Sequence, residues 1–165
     1  MAERLHRFLV DYAGRHHDFR VARHPSESMP YLVSRVLAFA LHCEEGLIFS
    51  RGVCVGDEPA LFTPAAVGRM ALWIDVGRPS SKKLAQGLRR AERVIVYGYG
   101  NSVPVRRSLN RLQTERMQVY WLAEGFLEKV AATVSLGTTA WQLSLEGDTI
   151  SVNGIRGTRS PLLLP

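Results

Sequence analysis

Met70-Ala71-Leu72-Trp73-Ile74 is an unbroken apolar run, and it closes on an acid, Asp75. Such a run reads as a buried strand. A carboxylate at the edge of a buried sheet has to be paired, hydrogen-bonded or holding a cation, because an isolated buried charge is costly. Asp57 stands 18 residues earlier, in the turn Gly56-Asp57-Glu58-Pro59 that leads into Ala60-Leu61-Phe62. Two carboxylates on neighbouring strands can converge on one metal ion.

The elements around this pair follow from periodicity and punctuation. Leu5–Tyr12 reads as a strand, 13–18 as a turn and Phe19–Arg23 as the second strand of a hairpin. Ser28 before Pro30 marks a helix start, because proline is tolerated in the first turn. The helix runs to Glu45, where Gly46 stops it. Leu47–Ser50 is a short strand. A second helix runs from Pro79-Ser80-Ser81 to Arg93, and Val94–Tyr99 is a central strand, apolar on both faces. A third helix is expected over Asn101–Arg116, a strand over Gln118–Leu122 and a short helix over Glu124–Val134. A hairpin of Thr139–Leu145 and Thr149–Val152 follows. The order predicts an α/β domain over 1–152, with helices packed on a mixed central sheet and parallel neighbours from Met70 onward. Residues 153–165, with their glycines and prolines, are expected to be a loose tail.

Apolar residues make up 46% of the 165 residues and charged ones 22%, values that suit one soluble domain with a sizeable core. No apolar run is long enough to span a membrane, and the N-terminus has no signal-peptide pattern. Cys43 and Cys54 lack CxxC spacing and cannot form a disulfide framework, which favours a reducing, cytoplasmic location, and they read as two small buried side chains. The net charge of +6 favours an anionic partner. Lys82, Lys83, Arg89, Arg90, Arg93, Arg106, Arg107, Arg111 and Arg116 are 9 of the 21 basic residues, opposed only by Glu92 and Glu115. Arg107 and Arg111 share a helix face one turn apart. If the second and third helices turn their basic sides to one surface, Arg89, Arg90, Arg93, Arg107 and Arg111 would grip a nucleic-acid backbone. Two ordinary solvated helix faces explain the same residues.

Glu27, Asp57 and Asp75 are the candidate metal ligands. Oxygen ligands of this kind suit Mg²⁺, with Mn²⁺ as a substitute, and such an ion activates water for phosphodiester hydrolysis. The plainer alternative makes Glu27 a helix-start acid, Asp57 a turn residue and Asp75 the partner of a nearby lysine. Lys82 and Lys83 follow at a helix N-terminus, the unfavourable end of the dipole for a cation, where a carboxylate would offset them. The five histidines have no zinc-ligand spacing, and Gly98-Tyr99-Gly100 lacks the rest of a phosphate-loop fingerprint.

Several short motifs occur in one order: Arg23-His24-Pro25-Ser26-Glu27, Arg35-Val36-Leu37-Ala38-Phe39, Phe49-Ser50-Arg51-Gly52, Asp57-Glu58-Pro59 and Leu72-Trp73-Ile74-Asp75-Val76-Gly77-Arg78-Pro79. Together they resemble the YaeQ family of bacterial proteins, most closely over residues 22–79. The resemblance implies a fold like that of the PD-(D/E)XK restriction-endonuclease-like proteins. In those proteins a helix glutamate, an aspartate on the second core strand and an acid-X-lysine on the third build a magnesium site. Carried over, Glu27 is the helix acid, Asp57 the strand aspartate with Glu58 as its understudy, and Asp75 the third-strand acid. The lysine position holds Gly77, so Lys82 or Lys83 would have to supply the ammonium from the following helix. The expectation is a metal-dependent phosphodiester hydrolase acting on nucleic acid. The alternative is a non-catalytic module that keeps the fold to bind nucleic acid or protein.

Overall fold

The computed structural model describes residues 3–51 and 57–164. Cys54 and Gly56 lie outside the described residues. The chain runs β1 (Arg4–Tyr12), β2 (Arg15–Arg23), α1 (Met29–Leu41), β3 (Ile48–Phe49), β4 (Leu61–Pro64), β5 (Met70–Val76), α2 (Ser81–Arg90), β6 (Ala91–Tyr99), α3 (Val103–Leu109), β7 (Met117–Leu122), α4 (Glu124–Ala131), β8 (Thr138–Glu146), β9 (Thr149–Val152) and β10 (Ile155–Leu163).

All ten strands join one mixed sheet in the order β2-β1-β8-β9-β10-β7-β6-β5-β4-β3. β5, β6 and β7 are parallel, as the helices between them predict. β1 pairs in parallel with β8, which ties the first hairpin to the last quarter of the chain. The sheet curls until its two edges approach each other. Phe19 of β2 stacks on Phe49 of β3 with ring centroids 5.7 Å apart, so the sheet is a nearly closed barrel.

Strand alternation divides the interior in two. Leu72, Ile74 and Val76 of β5 join Phe8, Leu32, Val36, Leu37, Phe126 and Trp141 in the larger core, which holds α1 and α4. Trp73 points the other way, with Leu84 of α2, Val94 and Val96 of β6, and Met117 and Val119 of β7. Leu88, Leu109 and Leu112 pack on that second cluster. Thus α1 and α2 lie on opposite faces of β5.

Several boundaries differ from the sequence expectation; α1, for one, ends at Leu41 with His42 as its C-cap, rather than running to Glu45. The first hairpin turns on Ala13-Gly14 alone, both with positive φ, so β2 starts at Arg15 rather than Phe19. This two-residue turn matches the twist of the strands it joins. α2 stops at Arg90 because Ala91–Arg93 are already paired with β5. α3 is only seven residues long; its one buried side chain is Val105, and a turn replaces the expected later part. The expected loose tail is corrected most: Ile155–Leu163 is β10, hydrogen-bonded between β9 and β7. Its polar and glycine-containing sequence gave no strand alternation to read. Asn153-Gly154, both with positive φ, turns the chain back from β9 into it.

Candidate functional site

β5 brings Asp75 to its carboxyl end, where the chain turns at Gly77 (φ +80°) towards α2. The Gly77 amide donates to the Tyr97 carbonyl at 2.9 Å, fixing that turn against β6. Ser80 caps α2 by accepting from the Lys83 amide at 3.1 Å. That cap places Lys83 in the first turn, over the strand end. Its ammonium is 3.2 Å from Asp75 Oδ1, and the Trp73 indole donates to Oδ2 at 2.7 Å. Trp73 and Asp75 are two residues apart and therefore share a face. α2 comes close enough because Gly87 lies on the indole: a Cβ there would be 3.1 Å from Trp73 Nε1.

Asp75 is 1% exposed, and its carboxyl is raised above its usual range. Burial is the dominant cause, opposed by Lys83 and the Trp73 hydrogen bond. The carboxylate also offsets the unfavourable position of Lys83 at a helix N-terminus.

Glu27 sits on the other face. It precedes the Ser28 cap of α1 and is buried against Arg35, with Nη2 2.6 Å from the carboxylate. Nη2 also donates to the Ala22 carbonyl at 3.0 Å, tying α1 to the end of β2. Burial raises the Glu27 carboxyl despite Arg35. Tyr31, packed against Gly77, lies in the field of both acids, and burial first and Asp75 second raise its hydroxyl.

The antiparallel pairing of Leu61 with Ile74 brings the turn before β4 to the Asp75 end of β5, as expected. Asp57 itself is exposed, and its carbonyl accepts from Arg90 at 2.9 Å. Glu58 pairs with Arg51 at 2.7 Å. Among the described residues no three His, Cys, Asp or Glu side chains are grouped to hold an ion. In this arrangement the acids do not fit a divalent cation: Glu27 and Asp75 lie on opposite faces, and each already has a cation.

The basic residues divide similarly. Arg90 lies 5.5 Å from the Trp73 ring, and Arg93 pairs with Glu44 at 3.0 Å. Arg116 is spent on main-chain carbonyls, including Leu88 and Ala91. Lys82, Arg89, Arg107 and Arg111 are exposed and have no ion-pair partner among the described residues. They belong to α2, α3 and the turn after α3, on one side of the sheet. Glu92 is the one acid between residues 76 and 113.

Arg35 and Trp73 were missed as partners of the two acids. Arg35 had a signal, an arginine between Val33 and Val36 in the apolar stripe of α1. Trp73 had one in its period-two spacing from Asp75.

The family model described as "YaeQ protein" matches residues 11–160. The curated relative from Escherichia coli K12, "Uncharacterized protein YaeQ", is 28% identical over 116 residues, 68% of this chain and 64% of its own length. The Salmonella typhi protein of the same description is 31% identical over 81 residues, 49% of this chain and 45% of its own. The matched segment thus spans under two thirds of these relatives. Two crystal structures share the fold. The YaeQ protein from Xanthomonas axonopodis pv. citri has a TM-score of 0.85 at 24% identity, covering 99% of this chain and 98% of that one. The one from Pseudomonas syringae has a TM-score of 0.82 at 24% identity, covering 99% and 96%. No helix among the described residues is long and apolar enough to cross a membrane.

Proposed function

The chain belongs to the YaeQ family, and from that premise we propose that it is a nucleic-acid-binding module on a nuclease-like scaffold, without metal-dependent chemistry. The observation that carries this reading is the contrast between its charges. The acids Glu27 and Asp75 are buried and neutralised inside the protein, whereas Arg89, Arg107 and Arg111 are exposed and have no ion-pair partner among the described residues on the α2–α3 side. A phosphate backbone supplies the anions such a surface lacks. The kinship with PD-(D/E)XK proteins is supported by the run α1, β3, β4, β5, α2, β6. Its four strands are adjacent in the sheet, and its third strand carries the acid.

A second reading keeps catalysis, with Mg²⁺ or Mn²⁺. One observation favours it: the Lys83 ammonium reaches Asp75 from α2, supplying the lysine that Gly77 does not. It requires Lys83 and Arg35 to release their carboxylates.

Binding of a fluorescent duplex at rising salt tests the first reading. Replacing Arg89, Arg107 and Arg111 together by glutamine should weaken binding at low salt. It should also flatten the log–log salt slope by about 2 to 3, roughly 0.9 per lost phosphate contact. An unchanged slope removes the α2–α3 side from the interface.

A further inference from the structure

A second chemical cluster lies away from α2 and α3, where the β1–β2 turn meets the end of α1. A cavity of about 450 Å³ opens there, lined by Tyr12, Arg15, His17, His42, Cys43 and Glu44 among others. Cys43 follows the C-cap of α1 and is half-buried, and its Sγ is 3.5 Å from His17 Nδ1. That is hydrogen-bonding distance for sulfur. Burial is the main cause that lowers the His17 imidazole, with Arg15 adding to it. A neutral ring that accepts the thiol proton at Nδ1 carries its own proton on Nε2, which is buried and has no hydrogen-bond partner among the described residues. The edge of Phe39 holds the ring from another side, with centroids 6.4 Å apart.

Two other polar groups of the cavity are engaged elsewhere. His42 Nε2 is engaged by the Tyr97 hydroxyl at 2.6 Å, and Glu44 takes Arg93 and Thr63. Arg15 is exposed at the cavity wall with no ion-pair partner among the described residues. The site therefore combines a thiol, a base in contact with it, and a cation suited to a carboxylate. Nothing in the nucleic-acid reading uses any of them.

We propose that Cys43, with His17 as its base, is a nucleophilic thiol that undergoes exchange with a small carboxylate-bearing disulfide. The thiol proton passes to His17 Nδ1 while Sγ attacks one sulfur of the disulfide. The old S–S bond breaks as the new one forms, and the departing half takes the proton from His17 and leaves as a thiol. Cys43 is oxidised to a mixed disulfide, and the released half is reduced. Thiolate character governs such reactions, so a base at the sulfur sets the rate.

The test uses the full chain with Cys54→Ser, leaving Cys43 as its one thiol, and oxidised glutathione as the probe. Mass spectrometry follows the glutathionyl adduct over time. The folded protein should react faster than the same protein in urea, and His17→Asn should slow it about a hundredfold, the lower end of the range for a positioned base. Arg15→Gln should slow glutathione disulfide but leave uncharged hydroxyethyl disulfide unchanged. Slower reaction of the folded than of the unfolded protein would overturn the proposal without relying on any variant. A folded His17→Asn protein that reacts at the parent rate would overturn it equally. An Arg15→Gln effect equal for both probes would refute the carboxylate preference.

Discussion

Replacing Lys83 by methionine isolates what holds α2 to the end of β5. The stem is retained in length and apolar character, and the ammonium 3.2 Å from Asp75 is lost. Removing one member of a buried pair costs about 3–5 kcal/mol. Lys83 is 23% exposed, so water already screens part of its field, and the Trp73 indole still donates to the carboxylate. A loss of about 1–2 kcal/mol is expected after that discount. Asp75→Asn keeps an acceptor for the indole and removes the charge, so the double variant should recover most of the loss. Urea unfolding of the four proteins measures the coupling directly. The pH dependence has a fixed sign. Burial holds the Asp75 carboxyl above its usual range, and loss of Lys83 moves it further up. The folded variant therefore takes up a proton more readily than the unfolded chain, and its deficit should shrink as the pH falls towards the carboxyl range. Strictly additive single changes, or a deficit that grows on acidification, would refute the pairing.

Two further results are expected. His42 is lowered from 6.5 to about 4 by burial, with Arg159 and Arg93 adding to it. Its contribution to stability is therefore full above pH 6.5 and is lost as the pH falls through about 4. The size is about 3 kcal/mol at most, and His42→Phe should flatten the stability profile in that window, as read by urea titrations. Gly98→Ala should destabilise by about 1–3 kcal/mol, because a Cβ there would stand 2.1 Å from the Trp121 ring; an unchanged urea midpoint would contradict the packing of β6 on β7.

The central strands were legible because their sequences carry the sheet's own pattern. Met70–Val76 and Val94–Tyr99 are apolar on both faces, and both faces are covered by helices. The second and third helices overran because polar and basic residues continue past Arg90 and Leu109 without a stop, and only pairing with β5 shows where α2 ends. β10 was hidden for the opposite reason. Its side chains carry little alternation, and Gly157 is needed where Phe126 of α4 presses on the strand, 2.3 Å from a notional Cβ. At the site, the residue types were legible and their facing was not. Asp75 and Lys83 meet as the plainer alternative allowed, but the direction of Asp75 depends on strand register. Trp73 fixes that direction, away from Glu27 and towards α2.

The most direct measurement incubates labelled single- and double-stranded DNA and RNA with the full chain in Mg²⁺ or Mn²⁺. Both retention by the protein and strand length are read from the same samples. Salt-sensitive retention of uncut strands, lost on removing the charges of Arg89, Arg107 and Arg111, is the predicted result. Metal-dependent shortening that disappears in Asp75→Asn would contradict it and establish the catalytic reading, and absence of retention at low salt would remove nucleic acid as the partner.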